Sequence, residues 1–525
     1  MEEYDYVLVG SGLNSLVSAA LLAKQGKKVC VLERAKELGG CIKVDRKTAP
    51  GFTFDLMSTS HVQFITSPAY LELKHDLEKA GLEYCVNKFP AGVLLPDGRS
   101  LIISTDHERN LQSIEKISSL DAKAYNKLFG KFFQNANITF GLLGSEPYSL
   151  ANMRMLCKEF WQRGLVGVAS TFVDLLKPAR QHLETHYQSD EVRALVAPMC
   201  LHGGLSPDAA MSSLMGELIT FSFSQVGDPL VKGGSDKLVE AFKTLIENHE
   251  GTLITSQCVE KVLLKGKKAI GIETAKGDVY KARKGVIANV TPQQLYKQFL
   301  PADIVPERVA EQTSDFQHGR SCMMIHLALD QAPRWIDSEM DQVAFLHITS
   351  GIDSISKALN ETDRGLLPDR GTICVVQPVT VDPTRAPDGK WILWLQILEL
   401  PKVIKGDARG VIAPPESGRW NNEVSEAYAD RIIQLLSEVA PGVEESIIAR
   451  IVLSPADLEA LNVNLVGGDP YAGHCGLEQS MMFRPFPSVK NHRAPVKQLF
   501  HIGASTHPGP GLGGMSGYLL AKSLM

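Results

Sequence analysis

The chain has 525 residues, of which 44% are apolar, and carries 54 lysines and arginines against 59 aspartates and glutamates. A chain of this length exceeds what one hydrophobic core usually fills, so we expect two domains. The formal charge of −5 excludes a strong basic field. Nucleic acid is therefore not an expected partner.

Nine cysteines are spread along the chain without a Cys-x-x-Cys pair. This spacing is typical of reduced thiols, and it predicts neither a structural disulfide nor a metal site. The sequence enters its first predicted strand almost at once and contains no apolar run of 18 residues, so neither a signal peptide nor a membrane-spanning helix is expected. We expect a cytoplasmic protein.

The first forty residues have the pattern of a nucleotide-binding unit. The apolar run at residues 6–9 predicts a buried parallel strand, and it ends in the sequence Gly10-Ser11-Gly12-Leu13-Asn14-Ser15. Gly10 permits a sharp turn, and Gly12 lets the backbone approach a pyrophosphate. The helix that follows, expected to end at Gly26, directs its positive N-terminus at that anion. Leu13, Asn14 and Ser15 are candidate cofactor contacts.

A second predicted strand, residues 29–32, leads into Glu33, which lies 21 residues after Gly12. An acid at this distance binds ribose hydroxyls, and it selects an adenosine with free hydroxyls over a 2′-phosphate. Ser15 occupies the position of the third glycine in the usual motif. Strand, glycines, helix, strand and acid together predict a dinucleotide site.

The segment Arg34 to Gly40 indicates which dinucleotide. An acid followed by a short loop and a Gly-Gly pair, here Gly39-Gly40, resembles the FAD family of amine oxidases and carotenoid desaturases. In that family the paired glycines pass under the flavin side of the cofactor. The resemblance implies that FAD binds here.

A second block resembles the same family. Gly233-Gly234 is followed by a predicted helix running to Glu247 with Ser235 as its N-cap, and then by a strand meander over residues 252–288. Val259 lies where the family uses a valine backbone to hold the adenine. The strand ending at Asn289 resembles the one that ends near the cofactor.

The C-terminal residues 499–517 predict a strand, a glycine-rich loop and a helix starting near Ser516. They resemble the branch that contains bacterial phytoene desaturases and carotenoid ketolases. Ala504 stands where amine oxidases usually carry an acid, which favours that branch. The resemblance implies flavin contacts at Gly503, Ala504, Gly514 and Met515, with the helix N-terminus facing the flavin's pyrimidine edge.

The predicted fold class is α/β: a Rossmann-type FAD-binding domain with a discontinuous mixed α+β substrate-binding domain. We assign residues 1–65, 228–295 and 485–525 to the FAD-binding domain. Residues 66–227, expected to be mostly helical, and 296–484, expected to contain a sheet, form the substrate-binding domain.

The expected function is FAD-dependent dehydrogenation of an organic, apolar substrate, with O2 or a quinone as electron acceptor. An amine oxidase producing imine and hydrogen peroxide is an open alternative, and a flavin-binding protein without turnover is another. A pyridine-nucleotide disulfide reductase is disfavoured, because Arg46 stands where a second cysteine should follow Cys41.

Four residues are candidates for the chemistry. His507 and Met515 lie in the flavin loop, His61 follows the Gly-Gly segment, and Arg484 comes from the substrate side. His507 is also compatible with a plain turn position, and Arg484 with a substrate carboxylate contact or a helix cap.

The segment Phe160–Leu176 is mostly apolar and is flanked by basic residues. An amphipathic helix of this kind either packs against the core or contacts a membrane surface. Peripheral membrane association is therefore a possible addition to a cytoplasmic location.

Overall fold

Two seven-stranded sheets organise the computed structural model, which describes residues 3–511 and 513–525, apart from the side chains of Asn137 and Thr139. The strands are β1 (Glu3–Val9), β2 (Val29–Leu32), β3 (Val44–Asp45), β4 (Phe54–Asp55), β5 (Tyr84–Asn87), β6 (Ala91–Leu94), β7 (Ser100–Ile103), β8 (Asp228–Val231), β9 (Thr252–Ile254), β10 (Val259–Lys265), β11 (Lys268–Thr274), β12 (Val279–Asn289), β13 (Ser321–Leu329), β14 (Phe345–Ile348), β15 (Leu366–Leu367), β16 (Ile373–Val376), β17 (Trp391–Leu400), β18 (Gly406–Asp407), β19 (Ile447–Leu453) and β20 (Leu499–Ile502).

Helices cover both sheets. They are α1 (Leu13–Lys24), α2 (Val62–Ile65), α3 (Pro68–Lys79), α4 (His107–Glu115), α5 (Ser119–Gln134), α6 (Ala136–Leu143), α7 (Leu150–Leu175), α8 (Ala179–His186), α9 (Asp190–Val196), α10 (Met199–His202), α11 (Ser212–Val226), α12 (Asp236–Asn248), α13 (Glu307–Asp315), α14 (Ile352–Asp363), α15 (Asn422–Ser437), α16 (Pro455–Leu461) and α17 (Met515–Leu524). Among the described residues, none of these helices has the length and apolar character needed to cross a bilayer.

The first sheet has the order β10-β11-β12-β1-β2-β9, with β20 beside β12. Strands β9, β2, β1, β12 and β20 are parallel, and β10 and β11 form an antiparallel extension. Parallel strands are buried on both faces, which explains the uninterrupted apolar run in β1. The predicted α/β class is confirmed.

Helix α1 packs against α17 at very short range. A side-chain Cβ on Gly517 would lie 1.8 Å from the Asn14 carbonyl oxygen, so only glycine fits at this crossing. Ser18 Oγ donates to the Gly517 carbonyl at 2.9 Å. The contact joins the two ends of the chain beside the first sheet.

The second sheet has the order β19-β13-β17-β16-β14-β6-β7. Strands β6 and β7 come from residues 66–227, a segment that is mostly helical as predicted but that also supplies these two strands to the sheet. An apolar run of four residues, such as β6, is too short for its periodicity to distinguish a strand from a helix. Pairing with β14, far along the chain, makes β6 a strand.

A buried arginine connects segments from both halves of the molecule. Arg385 is 0% exposed, and its guanidinium donates to Asp382 Oδ2 at 3.1 Å, Asp55 Oδ2 at 2.9 Å and the Val231 carbonyl at 2.6 Å. The same carboxylates accept backbone N–H bonds from the Gly-Gly turn, because Asp382 Oδ2 accepts from Gly233 and Asp55 Oδ1 from Ser235. Both carboxylates thus share one buried cation and accept further hydrogen bonds from the backbone.

Replacing this arginine should destabilise the fold strongly. Arg385→Met leaves two buried carboxylates without their cation, and breaking a buried pair from one side costs about 3–5 kcal/mol. Arg46→Met is the matched control, because Arg46 pairs with Asp236 in a neighbouring, solvent-exposed position worth about 1 kcal/mol or less. Thermal unfolding of both variants checks this; equal shifts in the unfolding midpoint would contradict it.

Candidate active site

One large cavity, of about 1070 Å³, extends from the ends of the first sheet's parallel strands to the face of the second sheet. Most of the predicted cofactor residues line it, namely Gly10, Gly12, Leu13, Asn14, Glu33, Arg34, Gly39, Gly40, Val259, Asn289, Ala504 and Met515. Ser15, Gly503 and Gly514 lie behind the wall. The cavity therefore joins a nucleotide-binding end to a second, substrate end.

The N-terminus of α1 opens into the nucleotide-binding end. Gly12 is its N-cap, without a side-chain hydrogen bond to the helix, and the first turn carries no acidic residue. Such a terminus is suited to a pyrophosphate, because its amide dipoles and unsatisfied N–H groups favour an anion. A Cβ on Gly40 would lie 3.1 Å from the Gly12 Cα, so the two glycine segments form a cradle that a side chain would fill.

Glu33 is held in place at the adenosine end. Its Oε2 accepts from the Ser11 amide at 3.0 Å and the Ser11 hydroxyl at 2.6 Å, and its Oε1 accepts from the Ala35 amide at 2.8 Å. These bonds fix the carboxylate at the end of β2 while it still lines the cavity. The position suits the acceptance of ribose hydroxyl hydrogen bonds.

Asn289, at the end of β12, explains why the third motif glycine is a serine. Its Nδ2 donates to Ser15 Oγ at 3.0 Å. A Cβ on Gly12 would lie 3.1 Å from the same Nδ2, and one on Gly503 would lie 2.4 Å from Oδ1. The amide therefore fills the space behind the glycine turn, and the Ser15 hydroxyl accepts from it.

Helix α17 begins at Met515, one residue before the predicted start, with Gly514 as N-cap at φ +66°. A non-glycine residue there would be strained, and its Cβ would lie 2.8 Å from Val17 Cγ2. Ser516 Oγ accepts from the Gly503 amide at 3.0 Å and is 2.7 Å from Thr506 Oγ1. These bonds order the glycine-rich loop, and Met515 lines the cavity.

Two of the four predicted catalytic residues do not line this cavity. His61 is buried, with Nε2 2.8 Å from Ser58 Oγ and Nδ1 3.0 Å from the Tyr84 hydroxyl. His507 contacts the Ser145 carbonyl through Nε2 at 3.0 Å. Burial lowers the pKa of each to about 4. Both residues were predicted because they are close in sequence to glycine segments. Closeness in sequence does not determine where the side chain lies, and neither ring lines the cavity.

Arg484 lines the cavity, but its guanidinium is occupied by the protein. Nε donates to the Ala504 carbonyl at 2.9 Å, Nη1 to those of His474 and Gln479, and Nη2 to that of Tyr471. The predicted contact with a substrate carboxylate is therefore not available in this arrangement. Arg484 instead connects the loop at residues 471–479 to the flavin loop at Ala504 through hydrogen bonds.

The substrate end is built from residues that the sequence analysis did not identify. Helix α11 contributes Met215, Leu218, Ile219, Ser222 and Phe223, and the second sheet contributes Phe345, Gln396 and Leu398. The α11 residues recur at i, i+3, i+4, i+7 and i+8, a helical stripe that was readable in the sequence. Nothing local indicated that the stripe faces a cavity and not a core.

The cavity fits FAD, because a helix N-terminus suited to an anion, a glycine cradle and a fixed carboxylate lie at one end. When bound, FAD supplies the two-electron chemistry, and the protein has to bind, orient and exclude water. The N-terminus of α17, which carries no acidic residue in its first turn, favours negative charge near Met515. The apolar side chains of α11 restrict water at the other end.

Comparison with curated proteins gives relatives that align over nearly the whole chain. Pyridine nucleotide-disulfide oxidoreductase domain-containing protein 2 of Rattus norvegicus is 25% identical, covering 98% of this chain and 92% of its own. A limonene dehydrogenase component from Castellaniella defragrans is 26% identical, covering 100% and 95%. A 4,4'-diapophytoene desaturase (4,4'-diaponeurosporene-forming) of Staphylococcus aureus is 22% identical, covering 96% and 95%.

Among solved structures, putrescine oxidase bound to putrescine matches with a TM-score of 0.61 at 14% identity, covering 100% of this chain and 99% of that one. At this identity the likeness concerns the fold. The profile of the family described as "Flavin containing amine oxidoreductase" matches residues 16–509. The resemblance seen in the glycine segments is thereby confirmed, as is FAD as the cofactor. The chain belongs to the flavin-containing amine oxidoreductase family and is an FAD-dependent oxidoreductase of the desaturase-like kind.

Proposed function

We propose that the protein removes two hydrogens from an apolar organic substrate bound between α11 and the second sheet. The observation that carries this proposal is the substrate end itself, where aliphatic, thioether and aromatic side chains of α11, β14 and β17 line the cavity. An apolar molecule gains free energy by leaving water for such a surface. Relatives named for limonene dehydrogenation and diapophytoene desaturation support this substrate class.

We also infer that the predicted domain division describes two functional units. All strands of the first sheet fall within residues 1–65, 228–295 and 485–525, and all strands of the second within 66–227 and 296–484. Glycine segments and Glu33 belong to the first unit, which binds FAD. The α11 stripe belongs to the second, which binds substrate.

An exposed apolar surface lies beside the substrate end, and we define it by its residues on α6, α7 and the segments next to them. These are Phe140, Tyr148, Leu150, Met153, Phe160, Trp161, Leu165, Val166, Phe172, Val173 and Leu176. Trp161 is 88% exposed and Val166 82%. Packing against the core, one of the two expectations for Phe160–Leu176, does not describe this segment, which belongs to a helix interrupted at Gly164.

We infer that this α6–α7 surface contacts a lipid bilayer containing anionic lipids. Arg154 and Lys158 are exposed on α7, and the two acids of this helix are paired, Glu159 with Arg163 and Asp174 with Lys131 and Lys177. Interfacial helices combine apolar and basic residues in this way. Phe140 and Leu143 of α6 line the main cavity, so an apolar substrate could pass from the bilayer into the protein. Membrane quinone would then be accessible as the electron acceptor, with O2 as the other candidate.

The cofactor site is tested by Gly12→Glu. Gly12 has φ −61°, so a side chain there is not strained, but it enters the glycine cradle next to Asn289 and adds a negative charge where the pyrophosphate binds. We expect the purified variant to lose most of its FAD. Gly130→Glu is the control, since a side chain there meets open space. Equal FAD content in the two variants would contradict the assignment.

The substrate class is tested by anaerobic reduction of the purified yellow protein. The protein is mixed in turn with apolar hydrocarbons, with primary, secondary and tertiary amines, and with NADH. We expect a hydrocarbon to bleach the flavin. Bleaching only by an amine, with fast reoxidation in air, would establish the amine oxidase alternative instead. Bleaching by no organic compound would favour a flavoprotein without turnover. Comparing reoxidation by air and by a quinone identifies the acceptor.

Membrane contact is tested by cosedimentation with vesicles. The double variant Trp161→Ser/Val166→Ser should bind vesicles of phosphatidylcholine and phosphatidylglycerol at least ~10-fold more weakly, because transfer of two large apolar side chains is lost. Val403→Ser/Val411→Ser is the control, since both valines are also exposed but lie elsewhere. Equal binding by the two variants, or none by the unchanged protein, would refute the contact.

A further inference from the structure

Two histidines face each other at the substrate end of the cavity. His202 ends α10 and lines the cavity, and His347 lies in β14 beneath it. Their Nε2 atoms are 2.9 Å apart, a hydrogen-bonding distance. The surrounding rings are apolar, with Phe345 in contact with both histidines. The pair thus adds polar groups to a part of the cavity that is mostly apolar.

Both rings are neutral at physiological pH. Burial lowers the pKa of His202 to about 4. Burial and the neighbouring His202 hold the pKa of His347 well below its ordinary value. Burial raises the pKa of the neighbouring Cys374 thiol, which therefore adds no charge beside the pair. The bond between the rings therefore joins two neutral imidazoles.

When two neutral imidazoles are joined by one Nε2–H···Nε2 bond, their two Nδ1 atoms differ in protonation. The ring that donates keeps a bare Nδ1, an acceptor, and the ring that accepts must carry its proton on Nδ1, a donor. His347 Nδ1 is buried without a hydrogen-bond partner. A buried orphan donor is rarer than an orphan acceptor. His347 is therefore assigned as the donating ring, and His202 carries its proton on Nδ1.

We propose that this histidine pair is a subsite for a neutral oxygen, a carbonyl or a hydroxyl, on a substrate that is otherwise apolar. The His202 Nδ1–H is a fixed, uncharged donor on the ring of the pair that lines the cavity. An ammonium group, which has no lone pair to accept with, gains nothing from it. This inference rests on the proposed function and narrows its substrate class.

A metal ion is the competing use of these residues, because His202, His347 and Cys374 offer ligand atoms within 4.8 Å of one another. Tetrahedral zinc with Zn–N bonds of about 2.0–2.1 Å would hold the two nitrogens about 3.3 Å apart, which is longer than the 2.9 Å observed. The geometry therefore favours the hydrogen-bonded pair.

The test uses the FAD-loaded protein with decan-2-one, decan-2-ol and decane, whose binding is followed by perturbation of the flavin spectrum. We expect the ketone and the alcohol to bind roughly 3–10-fold more tightly than decane, as one buried hydrogen bond provides. His202→Phe should abolish that preference while decane still binds. His202→Gln, which keeps an N–H donor, should restore part of it.

Phe345→Leu is the matched control, because it alters the same wall without removing a polar group, and it should weaken all three ligands alike. Retention of the preference in His202→Phe would overturn the subsite, as would one equivalent of zinc in purified protein by elemental analysis.

These outcomes are separable from those of the proposed function. Flavin bleaching by hydrocarbons together with no preference for the ketone would overturn the subsite and leave dehydrogenation intact. A ketone preference lost in His202→Phe, in a protein that no hydrocarbon reduces, would support the subsite and refute the proposed function.

Discussion

The constraint on which the site depends is the close approach of three strand ends around the Asn289 side chain. Side chains in place of Gly10, Gly12 or Gly503 would meet Asn289 atoms at 3.2, 3.1 and 2.4 Å. Because these three residues are glycines, β1, β12 and β20 can end close together at one edge of the sheet, where α1 and α17 both begin. Two helix N-termini then face one cavity, which is what a cofactor with a pyrophosphate and an electron-accepting ring requires.

The second requirement is that the substrate end keeps a fixed position relative to the cofactor end. Arg385 meets it, because its donors join a carboxylate from β4, a carboxylate from the second sheet's loops and the β8 carbonyl. A buried charge network has strict geometric demands, and moving either half would leave a charge unpaired. Arg484 does the same nearer the cavity, using backbone carbonyls instead of carboxylates.

The cofactor end was predictable because its determinants are local: the turn at Gly10, the helix after Gly12 and the acid at Glu33 occupy one short stretch. Two of the four catalytic candidates, His61 and His507, lie outside the cavity for the opposite reason. Whether His61 or His507 faces the cavity depends on Ser58, Tyr84 and Ser145, and one sequence does not indicate such contacts. His202 gave no signal either, since its partner lies in a strand 145 residues later.

Electrostatics separates the two ends of the cavity. The cofactor end has fixed dipoles and the Glu33 carboxylate, whereas burial shifts the pKa values of titratable groups around the substrate end toward their neutral forms. The pKa of Asp228, behind Ser60, is raised to about 7, and the pKa of His202 is lowered to about 4. A neutral His202 offers no Coulomb attraction to an ammonium substrate, while the apolar side chains of α11 favour contact with an apolar chain.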